Sequence, residues 1–219
     1  MNSVEKKQVA FLFLVDDSES TSGASNPVCK DPLPHKKTLQ AFLNLLRETL
    51  SDVELKRIHI GVALFGEDGA YNLIIPIKSL TDYTNEDVDK LSPSPDDEST
   101  DYSDGLSHAI EELNKYELIE SKDKHIFVLS DGYKIEHKRI DIESLSKVNI
   151  TFALICPDEL RKTSKLDYNF LNRFERIDLF KDMYPEFLEL AFLIPKGEYE
   201  QQNEWGTFGF PFSVKEPDF

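Results

Sequence analysis

The sequence has few of the residues and motifs on which several common classes of protein depend. Its 219 residues include only two cysteines, Cys29 and Cys156, which form neither a CxxC motif nor a disulfide framework. The five histidines are scattered without an HExxH pattern, and no glycine-rich phosphate loop is present. The low cysteine content fits a reducing compartment, and the missing motifs argue against a zinc hydrolase or a protein built on a phosphate loop.

Long apolar runs are also missing. The first apolar run, Val9–Val15, has only seven residues, whereas a membrane-spanning helix needs roughly 20. Asp16 and Asp17 follow it directly, with no small-residue cleavage site between, so we interpret the run as a strand and not as a signal peptide. We therefore expect a cytoplasmic protein.

Basic residues are too few to balance the acidic ones. Lys and Arg number 25 against 41 Asp and Glu, which gives a formal net charge of −16. Such a chain repels phosphate backbones and anionic lipid surfaces, so we expect neither a nucleic acid partner nor membrane insertion. The 40% hydrophobic content and the fifteen Phe suffice for the core of one large α/β domain.

Strand-like apolar runs alternate with stretches of helical periodicity along the chain. The runs 56–65 and 71–80 are parted by a turn and predict a hairpin. Other predicted strands cover 9–15, 125–130, 149–156 and 176–180, and predicted helices cover 34–50, 84–91, 102–116, 138–147, 164–173 and 185–193. This alternation indicates a three-layer, doubly wound α/β fold with a mostly parallel sheet, one antiparallel edge strand and helices on both faces.

The C-terminal segment 195–219 departs from this pattern. Its last 22 residues hold the only Trp and four Phe among Pro and Gly, which is too aromatic for a simple solvated linker. We expect this tail to pack back on a domain formed by residues 1–194. A docking segment for another protein is the alternative.

Hydroxyl and carboxyl side chains are predicted to collect at the carboxyl edge of the sheet, where open α/β sheets bind their ligands. Because alternate residues of an extended segment point to one side, the pattern DxSxS directs three side chains together. Two carboxylates and three hydroxyls are hard oxygen donors, which suit Mg²⁺, Mn²⁺ or Ca²⁺ better than Zn²⁺. The candidates are Asp16, Ser18 and Ser20 after the first strand, Thr100 before a helix and Asp131 after a later strand.

Three motifs resemble those of von Willebrand factor A domains, in the same order along the chain. DDSES at 16–20 resembles their DxSxS signature, STDYSDGL at 99–106 their threonine loop and following helix, and FVLSDG at 127–132 their last metal-site strand. The resemblance spans roughly residues 8–193. In length and in lacking a secretion signal, the chain is most similar to small stand-alone bacterial members of the tellurite-resistance type.

The resemblance implies a metal-ion-dependent adhesion site and a role for each candidate residue. Ser18 and Ser20 would be direct ligands of a divalent cation, with Mg²⁺ expected, and Thr100 would bind directly or through water. Asp16 and Asp131 would act mostly through waters and hydrogen bonds. The family function implied is capture of a protein partner that presents a Glu or Asp to the metal, without catalysis.

The sequence departs from the family pattern in three places. Glu19 stands where many members carry Gly, the connection 21–34 is longer than usual and is a candidate lid, and acidic residues crowd the loop 92–101 around Thr100. That loop is interpreted either as a solvated surface or as the source of a built-in metal ligand. Two other functions stay open: a metal-dependent hydrolase with Glu19 as its general base, and a structural subunit with a vestigial site.

Overall fold

A computed structural model of the chain describes residues 8–17, 39–40, 43–44, 46–48, 50–66, 71–90, 100–117, 119–130, 135–136, 148–155, 174–178 and 190–195. The strands are β1 (Val9–Asp16), β2 (Ile58–Phe65), β3 (Tyr71–Ser79), β4 (Thr100–Asp101), β5 (Lys124–Ser130), β6 (Ile135–Glu136), β7 (Asn149–Ile155), β8 (Phe174–Asp178) and β9 (Leu190–Pro195). The helices are α1 (Asp52–Leu55), α2 (Asn85–Asp89) and α3 (Tyr102–Asn114), with 3-10 turns at Leu80–Asp82 and Ser121–Asp123. Residues 39–40, 43–44 and 46–48 are also helical.

Seven strands form one mixed sheet in the order β3-β2-β1-β5-β7-β9-β8. β1 pairs in parallel with β2 and β5, and β5 pairs in parallel with β7. β3 is antiparallel to β2 at one edge, as the predicted hairpin requires. β9 is also antiparallel to its neighbours, but it lies inside the sheet. The predicted α/β fold, with a mostly parallel sheet and an antiparallel edge strand, is confirmed, and β9 is a second antiparallel strand that was not predicted.

The predicted helix over 185–193 is wrong at residues 190–193, and residues 185–189 lie outside the described residues. Residues Leu190–Pro195 form the strand β9, which is hydrogen-bonded between β7 and β8. Six consecutive residues with a high apolar content have no periodicity that separates a buried strand from a buried helix, and such short runs are more often strands. The strand that precedes it, Phe174–Asp178, begins two residues before the predicted one.

The core lies on both faces of the sheet at β1. All eight residues of β1 are buried, and since strand side chains alternate, both faces of the sheet are covered. On one face Leu12 and Leu14 share a core with Leu106 and Ile110 of α3. The helical residues 39–40, 43–44 and 46–48 bury three leucines at helical spacing, as the sequence predicts: Leu39, Leu43 and Leu46.

Parts of the sequence prediction fall outside the described residues. These are the predicted helices over 138–147 and 164–173 and the tail beyond Pro195, so the division into residues 1–194 and 195–219 stays a prediction. Among the residues that the structure describes, no helix is long and apolar enough to cross a membrane. The cytoplasmic location also stays a prediction.

Candidate metal centre

Asp16 is the last residue of β1 and is held from both sides of that strand. Its backbone pairs with Phe65 at the end of β2, and the Asp17 N–H donates to the Phe65 carbonyl at 2.9 Å. Asp16 is only 2% exposed. An ionisable group at such a depth is costly unless hydrogen bonds or a counter-charge compensate its lost hydration. β1 thus places the Asp16 carboxylate at a buried position, where it needs hydrogen bonds or a counter-charge to replace its hydration.

Ser130 is one partner of this carboxylate. Its Oγ donates to Asp16 Oδ2 at 2.5 Å, and Ser130 is fully buried. The contact follows from the sheet register, because Val15 pairs with Leu129 and the next residues of the two parallel strands therefore meet at the same level. The distance is at the short end of the range for a hydroxyl donating to a carboxylate.

The first turn of α3 packs beside these strand ends. Gly105 lies so close to β2 that a Cβ placed on it would be 3.0 Å from the Phe65 Cβ. Phe65 belongs to the same core as α3, and by alternation Asp16 and Ser130 point to that side of the sheet. We call this place, defined by Asp16, Phe65, Ser130 and the first turn of α3, the Asp16 corner.

A two-stranded parallel sheet connects the two remaining segments of the candidate site. Thr100 pairs with Ile135, and Asp101 pairs with Glu136. Thr100 lies two residues before α3, and Ile135 lies five residues after Ser130, with Asp131 between. Backbone hydrogen bonds therefore join the segment before α3 to the segment after β5, and each of these leads directly to the Asp16 corner.

The predicted site residues are described to different extents. Asp16 is described fully, and the backbone of Thr100 is described in β4 without its side chain. Ser18, Ser20 and Asp131 lie outside the described residues. Within the described part of the chain, no group of three or more His, Cys, Asp or Glu side chains converges as a metal site would. The predicted ligand set therefore stays a prediction, apart from the placement of Asp16 and of the Thr100 backbone.

The sequence prediction missed Ser130. A signal was available, because Ser130 is the last strand residue before Asp131 and is a polar residue after four apolar positions, 126–129. The local sequence could not show that β5 lies beside β1, and so could not show that Ser130 is a neighbour of Asp16. The Asp16 carboxylate and the Ser130 hydroxyl are hard oxygen groups, so the described chemistry of the Asp16 corner is compatible with a cation such as Mg²⁺.

Several solved structures are similar to this chain at low sequence identity. Proximal thread matrix protein 1 of the mussel byssus matches with a TM-score of 0.49 and 17% identity, covering 67% of this chain and 38% of that protein. BatB from Bacteroides thetaiotaomicron matches with 0.45 and 16%, covering 66% and 65%. The pilus adhesin SpaC from Lactobacillus rhamnosus GG matches with 0.44 and 16%, covering 59% of this chain and 15% of the adhesin.

The sequence itself matches a family model. No curated protein matches the chain, but the model of the von Willebrand factor type A domain matches residues 11–134. This match covers more than half of the chain and includes β1, β2, β3, α3 and β5, with the Asp16 corner among them. The chain therefore belongs to the von Willebrand factor type A domain family.

Proposed function

We propose that this chain is a protein-interaction domain that binds a divalent cation at the Asp16 corner and uses it to capture a carboxylate of a partner protein. In this proposal Asp16, Ser18, Ser20, Thr100 and Asp131 hold the cation. Mg²⁺ is the expected ion, with Mn²⁺ and Ca²⁺ as substitutes. The domain is proposed to have no catalytic activity of its own.

One observation carries the proposal: a buried carboxylate lies where two central parallel strands and the first turn of a helix meet. Asp16 is held there by Ser130, which immediately precedes the candidate Asp131. The backbone of Thr100 is paired with the segment that follows Asp131. Membership of the von Willebrand factor type A family supports the same placement of a ligand site, at the carboxyl edge of the sheet.

The proposed donor set explains why a partner carboxylate would bind. Three of the five residues, Ser18, Ser20 and Thr100, carry neutral hydroxyls, which leave much of the charge of a divalent cation uncompensated. The cation would supply that positive charge and an open coordination position, for which an anionic oxygen is the preferred ligand. The chain carries a formal charge of −16, so we expect the partner surface around that carboxylate to be neutral or basic.

The metal requirement is tested by thermal unfolding with Mg²⁺ or Mn²⁺ and with EDTA. A cation that binds only the folded state at 100 times its Kd adds about 2.7 kcal/mol of stability. Asp16→Ala should abolish this increase. Asp17→Ala is the matched control, since Asp17 is the adjacent carboxylate but lies outside the proposed ligand set. Equal metal responses in wild type and Asp16→Ala would refute the site.

The partner requirement is tested by capture experiments in Mg²⁺ and in EDTA. Candidate acids of a captured partner are replaced one at a time by Gln or Asn. We expect one replacement to remove the metal-dependent part of the affinity, and binding that EDTA leaves unchanged would contradict the proposal. Turnover of phosphoester or peptide substrates that is lost in Glu19→Gln would instead favour the hydrolase alternative.

A further inference from the structure

We propose that Ser130 is a positioning residue of the metal site, whose hydroxyl fixes the orientation of the Asp16 carboxylate. This inference rests on the proposed function, because it assigns a role toward the same cation. Ser130 is not among the residues that the family resemblance implies as ligands. The proposal gives it an indirect role, through the hydrogen bond from its Oγ to Asp16 Oδ2.

The geometry restricts both partners of this hydrogen bond. Ser130 is fully buried and Asp16 is 2% exposed, so neither side chain can exchange its partner for bulk water without local opening. Both residues are strand ends in the middle of a seven-stranded sheet, and β1 is paired on each side. The backbone therefore sets the separation of the two side chains before any ligand arrives.

A fixed donor matters because a carboxylate can rotate about its terminal bond. The Ser130 hydroxyl occupies one lone pair of Oδ2 and thereby selects one rotation of the carboxylate plane. The other acceptor positions of the carboxylate then point in defined directions. Groups that orient metal ligands in this way typically change metal affinity about 10-fold to 100-fold when they are removed.

Ser130 also connects the two acidic segments of the proposed site. Its side chain contacts Asp16, and its carbonyl carbon is bonded to the backbone nitrogen of Asp131. Asp16 and Ser130 are 114 positions apart in the sequence, so this single hydrogen bond spans the two strands that deliver the proposed carboxylates. Loss of the hydroxyl should therefore loosen the relative placement of both segments.

The test measures the Kd for Mn²⁺ by titration with electron paramagnetic resonance detection, on the full chain. Ser130→Ala should weaken Mn²⁺ binding about 10-fold to 100-fold. Thr151→Val is the matched control, because it removes the hydroxyl of another buried residue, on β7, and should leave the Kd unchanged. Unfolding in EDTA reports any damage to the fold separately.

A second pair of variants controls for the change in side-chain volume at position 130. Ser130→Thr and Ser130→Val add nearly the same bulk to the buried position, but only Thr retains a hydroxyl. We expect Ser130→Thr to bind Mn²⁺ more tightly than Ser130→Val by about 10-fold. Equal Kd values within this pair, or a wild-type Kd in Ser130→Ala, would overturn the role of Ser130 while leaving the proposed function intact. A wild-type chain that binds no Mn²⁺ would overturn both.

Discussion

Asp16 and Asp87 are both buried aspartates, but they lie in different parts of the fold. Asp87, on α2, is 6% exposed and accepts hydrogen bonds from two ammonium groups, Lys78 Nζ at 2.9 Å and Lys90 Nζ at 3.1 Å. Thr84 donates to it through both its N–H and its hydroxyl. Asp16 accepts a hydrogen bond from the neutral hydroxyl of Ser130.

Position in the fold distinguishes Asp87, a structural carboxylate, from Asp16, a candidate binding carboxylate. Burial by itself would raise the pKa of Asp87, but the donors from Lys78, Thr84 and Lys90 lower it below its ordinary value. Its negative charge is thus compensated inside the chain, at the start of a short helix and beside the edge strand β3. Asp16 lies instead at the carboxyl edge of the sheet, where the proposed cation would add positive charge.

The largest expected stability effect is that of Asp87→Asn. The substitution removes the charge that two lysines contact, so we expect a loss of about 3 kcal/mol in the free energy of unfolding at neutral pH. Because the folded-state pKa lies below the ordinary value of 3.8, this contribution is complete above that value and is lost as the pH falls through the folded-state pKa. Urea unfolding at several pH values should show wild type and variant converging in acid.

The same variant also tests the separation between the two aspartates. Asp87→Asn should keep the full increase in melting temperature on addition of Mg²⁺, whereas Asp16→Asn should lose it. If Asp87→Asn also loses the metal response at temperatures where it is folded, the two carboxylates are not independent. The assignment of Asp87 to a purely structural role would then be wrong.

A smaller loss in the free energy of unfolding is expected when either of two glycines is replaced by Ala. Gly61 lies in the middle of β2, and Gly105 lies in the first turn of α3, at the Asp16 corner. A Cβ at Gly61 would be 2.6 Å from Ile77 Cγ1 and 3.1 Å from Leu12 Cδ1, so Gly61→Ala should cost about 2 kcal/mol through overpacking. Gly105→Ala should cost about 1 kcal/mol, since a gain in helix propensity offsets part of its contact with Phe65.

For both glycine variants, the Kd for Mn²⁺ should be measured together with the free energy of unfolding. We expect Gly105→Ala to weaken Mn²⁺ binding, because it pushes the first turn of α3 away from the Asp16 corner. Gly61→Ala should leave the Kd for Mn²⁺ unchanged despite its greater loss of stability. A reversed order of the two Kd values would show that the packing of α3 does not shape the site.

The smallest loss of stability is expected for Tyr116→Phe, which provides a baseline past the C-terminal end of α3, whose first turn belongs to the Asp16 corner. The Tyr116 hydroxyl donates to the Ile77 carbonyl at 2.7 Å, and burial raises the pKa of this phenol, so it stays a donor through neutral pH. Removing it should cost about 0.5–1 kcal/mol. Chemical unfolding should show this loss at every pH from 4 to about 8, with an unaltered response to Mg²⁺; a change in the metal response would contradict the baseline.

Local sequence was enough to predict most elements that support the site. The apolar runs predicted β1, β2, β3, β5 and β7 to within a few residues. For β1, β2 and β5 the physical reason is that strands buried on both faces need continuous apolar side chains. Helical spacing predicted α3 and the buried leucines of residues 39–48. Local sequence failed at Leu190–Pro195, where strand pairing with β7 and β8 decided the conformation of a short run that lacks periodicity.

The candidate site was predictable only where it depends on local sequence and not on strand pairing. Asp16 follows the first strand in the sequence, so its position at the carboxyl edge could be inferred from the chain alone. Its contact with Ser130 could not, because hydrogen bonding between residues 114 positions apart depends on which strands are neighbours and in what register.

The sequence by itself determined the α/β class, the buried central strands and the oxygen chemistry at their ends, since these follow from residue type and short-range periodicity. Only the tertiary structure decided that β5 lies beside β1, that β9 is inserted antiparallel between β7 and β8, and that α3 approaches Phe65 through Gly105. Strand order and close packing are set by the free energy of the whole assembled core, in which distant segments compete for the same neighbours. No single segment of the chain encodes that outcome.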